Sequence, residues 1–269
     1  MPDAPLGLIA GRFTLPFQFA REARKRGQRV VAIGFPGETD PALAQEVDEL
    51  IWLRVGQVGG LIKAFSQRGV QHCVMLGQIA PKNLFDFRPD LRAMKLLLRL
   101  KEKNAHTIFG AIGDELAQEG MVLIPAIPWL QDWLPGAGFH VGPKLTGPQK
   151  ADVELGHRIA KEISRLEIGQ TVVVKDGTVL AVEGFEGTDA CLTRGGQLAG
   201  KKGGAVVVKV AKFNHDLRFD LPCLGLKTLE VMKNSGLHVL SFEADHTLLI
   251  DRPEVEREAV KAQLALLTV

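Results

Sequence analysis

With 269 residues, 46% of them hydrophobic, the chain has the length of two ordinary domains and enough apolar material to bury a full core. Lys and Arg number 33 against 31 Asp and Glu, and the resulting +2 points to neither nucleic acid nor an acidic partner. Cys73, Cys191 and Cys223 are odd in number and lack a CxxC spacing, so neither a disulfide framework nor a zinc knuckle is indicated, and reduced thiols in a cytoplasmic protein are the simple reading.

The start, "MPDAPLGLIAGRF", lacks the basic and apolar regions of a signal peptide. No apolar stretch reaches the ~18 residues of a membrane span. From there strands and helices alternate. "LGLIAG" (6–11) is a short strand ending in glycine, and "PFQFAREARKRG" (16–27) is a helix with Pro16 at its start and Gly27 at its stop. "QRVVAIGF" and "ELIWLRV" are strands, "GGLIKAFSQRG" a helix and "VQHCVMLGQ" a strand. "DLRAMKLLLRLKEK" and "AHTIFGAIGDELAQEG" are helices, and "MVLIPA" closes the half. Strands separated by helix-length segments predict βαβ units in a mostly parallel sheet, with ligands at the strands' carboxyl ends.

"LPGAGFHVGPKLTGPQK" (134–150) has four glycines and three prolines and no period, and it is expected to be an interdomain linker. Beyond it, "ADVELGHRIAKEISRL" is a helix. "QTVVVKDGTVLAVEGF" is a hairpin turning at Asp176-Gly177, a pair suited to positive φ at both centres. "TDACLTRGGQ" is a helical turn capped by Thr188 or Asp189. "GGAVVVKVA" is a strand, "GLKTLEVMKNSG" a helix, "LHVLSFEADHTLLID" a strand, turn and strand, and "RPEVEREAVKAQLALL" the last helix. The expected fold is therefore α/β: a Rossmann-like parallel-sheet domain over 1–134, a linker over 135–150, and a second α/β domain over 151–269.

Four stretches offer chemistry. In "GLIAGRFTLP", backbone amides between Gly11 and Thr14 can hold a phosphate or a sugar, and an ordinary tight βα turn explains the same residues. The spacing is not GxGxxG, which disfavours a dinucleotide site, and no acidic residue is clearly placed for a ribose. In "MLGQIAPKN", Gly77 lets a ligand approach the backbone and Gln78 can read a base or a hydroxyl. "VEGFEGTDA" gathers Glu183, Glu186, Thr188 and Asp189, which suits magnesium or substrate hydroxyls as well as a solvated, capped turn.

The fourth, "KVAKFNHDLRFDLPCLG" (209–225), follows a buried strand with both cations and carboxylates. Lys209, Lys212 and Arg218 can offset phosphate charge, and the carboxylates can hold a divalent metal or orient water. An edge strand decorated with solvated charge is the alternative. Asp220, between Phe219 and Leu221-Pro222, needs a partner or a metal if buried. His72, His140, His157, His238 and His246 show no metal spacing, and GxSxG, HExxH and GxxxxGK[ST] are absent.

"LGLIAGRFTLP", "LEIGQTVVVKDGTVLAVEGFEGTDA" and "VKVAKFNHDLRFDLPCLG", in that order, resemble the UDP-2,3-diacylglucosamine pyrophosphatases of lipid A biosynthesis, of the type unrelated to metallophosphoesterases. The resemblance implies two α/β domains with the substrate in a cleft between them, a homodimer, a magnesium ion, and hydrolysis of UDP-2,3-diacylglucosamine to UMP and lipid X. It implies work at the cytoplasmic face of the inner membrane, as a peripheral protein. It makes the aspartate of R-x-D-L-P essential, here Asp220 within "RFDLP".

On that resemblance Gly11, Thr14, Gly77, Gln78, Ile79 and Ala80 form one wall of the site, and Gly187, Thr188, Lys209, Lys212 and Arg218 belong to the other. Glu186, Asp189 and Asp220 are the candidate metal ligands. Three departures stand out. Arg12 and Phe13 occupy a loop usually richer in glycine. Phe213 and His215 replace the proline and glutamine of K-P-x-Q-D. Asn104-Ala105-His106 replaces G-D-D, which removes two carboxylates and offers His106 to the metal instead. A nucleotide-dependent oxidoreductase or transferase, and a non-catalytic binder of nucleotide sugars or lipids on the same fold, are the competing readings.

Overall fold

The computed structural model describes residues 4–79, 89–102, 104–211, 216–219 and 221–269. The chain divides into two compact units, residues 4–131 with 216–219, and residues 132–211 with 221–269.

The first unit alternates as its sequence predicts. In chain order it contains β1 (Leu6–Ala10), α1 (Leu15–Lys25), β2 (Val30–Gly34), β3 (Glu49–Trp52), α2 (Val58–Ser66) and β4 (His72–Leu76). α3 (Leu91–Arg99), α4 (Ala105–Gln118), β5 (Val122–Leu123) and α5 (Ile127–Leu130) follow. The strands form a parallel sheet in the order β3-β2-β1-β4-β5. All five residues of β1 and of β2 are buried, as expected of parallel strands covered on both faces. Ile9, Ile33, Leu61, Phe65 and Leu116 share one core on one side of this sheet. Fully burying side chains of this size contributes about 1.5–3 kcal/mol each. The short α5 was not evident in the sequence. It is held on α1 by the Phe19–Trp129 ring contact at 5.2 Å and by Arg26, which donates to Pro128 O at 2.7 Å.

The second unit holds β6 (His140–Val141), α6 (Gly147–Arg165), β7 (Thr171–Lys175), β8 (Thr178–Val182), α7 (Thr188–Leu198) and β9 (Ala205–Lys209). It continues with β10 (Cys223–Leu224), α8 (Leu226–Asn234), β11 (Leu237–Phe242), β12 (Leu248–Leu249), α9 (Arg252–Lys261) and β13 (Ala265–Thr268). Its main sheet runs β6-β13-β11-β9-β7-β8, parallel through β13, β11 and β9 and antiparallel at both flanks. The period of two sorts its side chains. Val172, Val174, Val206 and Val208 pack on α6, while Val173, Val207, Leu240 and Leu266 face α7, α8 and α9. The hairpin turn is as expected, with Asp176 and Gly177 at φ 48° and 73°.

Three local expectations give way. The supposed linker carries β6 and the first turn of α6, because Thr146 and Gln149 form a reciprocal capping box ahead of residue 151. The cap of α7 is Gly187, at φ 83°, and neither Thr188 nor Asp189 caps it; the helix then runs for 11 residues, far beyond a turn. The strand, turn and strand of "LHVLSFEADHTLLID" are present as expected, as β11 and β12, and β12 pairs with β10. Finally, the apolar end of the last predicted helix is a strand: Gln263 turns left-handed at φ 54°, and β13 enters the sheet between β11 and β6.

Candidate functional site

In the first unit the strand order reverses between β1 and β4, the position where open α/β sheets bind ligands at the strand ends. The loops leaving these strands lie against each other. Gly11 N donates to Leu76 O and Arg12 N to Gln78 O, both at 2.8 Å. A Cβ on Gly11 would stand 2.5 Å from Gln78 O, and one on Gly77, at φ +89°, 2.5 Å from Arg12 O. Backbone proximity alone therefore demands both glycines, and the amides of Gly11 and Arg12 are already bonded to protein.

Phe13 follows in the left-handed region at φ 74°, and the residue is 63% exposed. Thr14 occupies the N-cap of α1 without a side-chain capping bond. An acidic residue does sit just beyond β2: Glu38, buried and 3.6 Å from the Arg12 guanidinium. Buried there, it is faced by the cation of the neighbouring loop.

An apolar cavity of about 100 Å³ opens at the same strand ends. Ile9, Met75, Gly77 and Ile79 form its sheet side, and α2, α3 and α4 wall it with Leu61, Leu96 and Phe109 among others. Phe219 also lines it, its ring 5.6 Å from His106 and 5.8 Å from Phe109. The neighbouring Arg218 forks onto Asp216, with Nε to Oδ1 at 2.8 Å and Nη2 to Oδ2 at 2.6 Å. Arg218 holds the Asp216 carboxyl below its ordinary range, and Asp216 holds the guanidinium up in return. The charge of Arg218 is thus answered within its own segment.

In the second unit, Lys209 ends β9 and is buried. Its Nζ donates to Thr188 Oγ1 at 3.3 Å, and that hydroxyl donates to Glu183 Oε1 at 2.9 Å. A hydroxyl has one proton to give, so Thr188 accepts from the ammonium and donates to the carboxylate. Glu183 is also buried and accepts from Gln170 N at 3.3 Å. Thr171, opposite Lys209 in the sheet, has a buried hydroxyl without a hydrogen-bond partner. A buried cation, a hydroxyl and a buried carboxylate thus converge where β8, β9 and α7 meet. Close by, Glu243 Oε2 accepts from Ala211 N and its Oε1 from Lys161 Nζ, each at 2.6 Å, which pins the exit of β9. Burial alone would raise Glu243, but Lys161 and the Ala211 amide together hold it below its ordinary value.

The other two carboxylates are committed elsewhere. Glu186 accepts from Arg194 Nη2 at 2.5 Å, and its own backbone amide first, then Arg194, keeps it below the usual carboxylate range. Asp189 pairs with Lys227 at 2.6 Å. Each is thus paired with a cation across a solvent-exposed contact, Glu186 with Arg194 and Asp189 with Lys227. Among the described residues no group of three or more His, Cys, Asp or Glu is placed to hold a metal. Burial pushes the Cys73 and Cys191 thiols up to about 12, which favours the protonated thiol at both near neutral pH.

Residues 5–133 match the LpxI N-terminal domain and residues 136–267 the LpxI C-terminal domain. The chain belongs to the LpxI family. It is 30% identical over 260 residues to the UDP-2,3-diacylglucosamine pyrophosphatase LpxI of Caulobacter vibrioides, covering 93% of this chain and 92% of that one. Among solved structures, a biotin carboxylase of Campylobacter jejuni matches at 11% identity and TM-score 0.30, over 73% of this chain and 42% of that one. An N5-carboxyaminoimidazole synthetase of Staphylococcus aureus matches at 13% identity and TM-score 0.28, over 68% and 41%. Likenesses this low assign neither fold nor function.

In this LpxI chain the structure brings together Gly11, Gly77, Gln78 and Ile79 in the first unit and Gly187, Thr188 and Lys209 in the second. Ala80, Lys212 and Asp220 lie outside the described residues, as do Phe213 and His215. Phe219 was not among the expected residues, and Glu183, read as a possible magnesium or hydroxyl ligand, instead accepts from the Thr188 hydroxyl. Glu183 was signalled by the alternation that buries Ala181 two residues earlier. For Phe219 the sequence offered no comparable signal.

Proposed function

We propose that this LpxI chain hydrolyses the pyrophosphate of UDP-2,3-diacylglucosamine to UMP and 2,3-diacylglucosamine 1-phosphate, lipid X. The observation that carries this reading is the match of both LpxI domains, together with a relative of nearly equal length named for that activity. Water adds to one phosphorus, the bridging P–O bond breaks, and the other phosphate leaves with the bridging oxygen. Asp220 is the carboxylate that orients the water and takes its proton.

The structure supports parts of this reading. Lys209 reaches the end of β9 with its charge balanced through Thr188 by Glu183, so an ammonium can remain at a buried place and meet a phosphate oxygen. The cavity beside Gly77 and Ile79 is apolar and suits part of an acyl chain. A magnesium requirement, a homodimer and a peripheral contact with the cytoplasmic face of the inner membrane complete the proposal on the resemblance alone. No step is assigned to the metal.

The test is product identification from UDP-2,3-diacylglucosamine with magnesium and with chelator. UMP and lipid X with metal and neither with chelator is the expected result. The same products with chelator would remove magnesium and keep the hydrolysis. UDP as the nucleotide product, or no product from folded protein, would overturn the reading in favour of another cleavage or a non-catalytic binder.

A further inference from the structure

We propose that the outer face of α3 docks on an anionic lipid bilayer. The inner face of this helix is ordinary: Ala93 and Leu96 are buried and, with Leu97, line the cavity of the first unit. The outer face is not. Leu91, Met94 and Leu98, spaced three and four residues apart, form one stripe that is 76%, 45% and 81% exposed. The apolar arc of the helix is therefore wider than the surface it covers, and half of it meets solvent.

Lys95 and Arg99 stand beside the stripe and are exposed, and Lys101 follows the helix end. Of the nearby acids, Asp90 is spent at the N-terminus, where its carboxylate accepts from Ala93 N at 2.8 Å and Gly59 N at 2.7 Å. Glu115 answers Arg92 at 2.6 Å and reaches Arg99 only at 3.5 Å, and Glu102 stands beside Lys101. A leucine-rich stripe flanked by cations, on a helix of low mean hydropathy, is the pattern of a helix lying in the plane of a membrane interface.

A second copy fits this face less well. An antiparallel, two-fold pairing on the stripe would set Lys95 and Arg99 of one chain against the same flank of the other. The stripe also backs directly onto the apolar cavity, so the face that would meet lipid and the wall of that cavity are one helix. The inference locates the peripheral membrane contact of the proposed function and rests on that reading, while its test is separate from turnover, because vesicle binding is measured without substrate.

Purified full-length protein is floated with vesicles of phosphatidylglycerol and phosphatidylethanolamine, and with vesicles of phosphatidylcholine. We expect binding to the anionic vesicles, weakened at least about tenfold by Leu91→Gln with Leu98→Gln and by raising salt from about 0.1 M to about 0.5 M. Both positions are exposed, and an unchanged melting temperature verifies the fold. Lys95→Glu gives a second variant, in which the charge alone weakens binding. No binding by the wild type would overturn the proposal. So would equal binding by the double-glutamine variant, or a variant that turns a dimer into a monomer while vesicle binding stays unchanged.

Discussion

Phe13 holds a backbone conformation that glycine adopts freely and a side chain resists, at a cost of about 1–2 kcal/mol. The residue is mostly exposed and returns little packing. Phe13→Gly should therefore leave the melting temperature within a few degrees of wild type, whereas Phe13→Val, β-branched at positive φ, should lower stability by about 1–2 kcal/mol. Equal losses for the two in thermal denaturation would argue against strain at this turn. Thr188→Val keeps the side-chain volume and removes one polar partner each from Lys209 and Glu183. A cost of about 1–3 kcal/mol in urea titration is expected, with a fall in kcat/KM. Unchanged stability would place the hydroxyl outside the balance between the two buried charges.

The residue types of this relay were legible in the sequence: Lys209 and Thr188 stood out. Their connection was not, because it arises only when antiparallel β7 sets β8 and β9 on either side of it. The same holds for Asp189, whose counter-ion Lys227 comes from a different helix, and for Glu243, whose bond to Ala211 spans 32 positions.

Among the elements, strands buried on both faces were the most legible, since β1 and β2 are apolar throughout and β7 and β9 are each built on a Val-Val-Val run. The C-terminal "QLALL" was misread for the same reason that makes such runs ambiguous: it is short, apolar and adjacent to a true helix. Only the left-handed turn at Gln263 separates the two. The segment 216–219 is held on α4 by Phe219 and stiffened by the Asp216–Arg218 fork.

That fork has a pH signature. The Asp216 carboxyl is held below its ordinary value of 3.8, chiefly by Arg218, so its stabilising contribution is present above pH 3.8 and is lost as pH falls through the lower folded value. The stability gap between wild type and Asp216→Asn should therefore be constant near neutrality and close only in strong acid. A gap that closed near neutral pH would exclude the pairing. Phe219→Ala should speed amide exchange in this segment and cost about 1–3 kcal/mol, because the ring is half-buried against the cavity. Unchanged exchange would mean that the segment is held by other contacts.

For the whole molecule, two units of different sheet type carry one proposed reaction. The first supplies strand-end loops and an apolar cavity, the second a charge relay. Among the described residues no helix is long and apolar enough to cross a membrane. The central claim is hydrolysis that depends on Asp220, and it is tested most directly by the rate of UMP release from UDP-2,3-diacylglucosamine by wild type beside Asp220→Ala. The account predicts turnover by wild type and its loss, by roughly a thousandfold or more, in a variant with an unchanged melting temperature. A near-normal rate in the variant would contradict it.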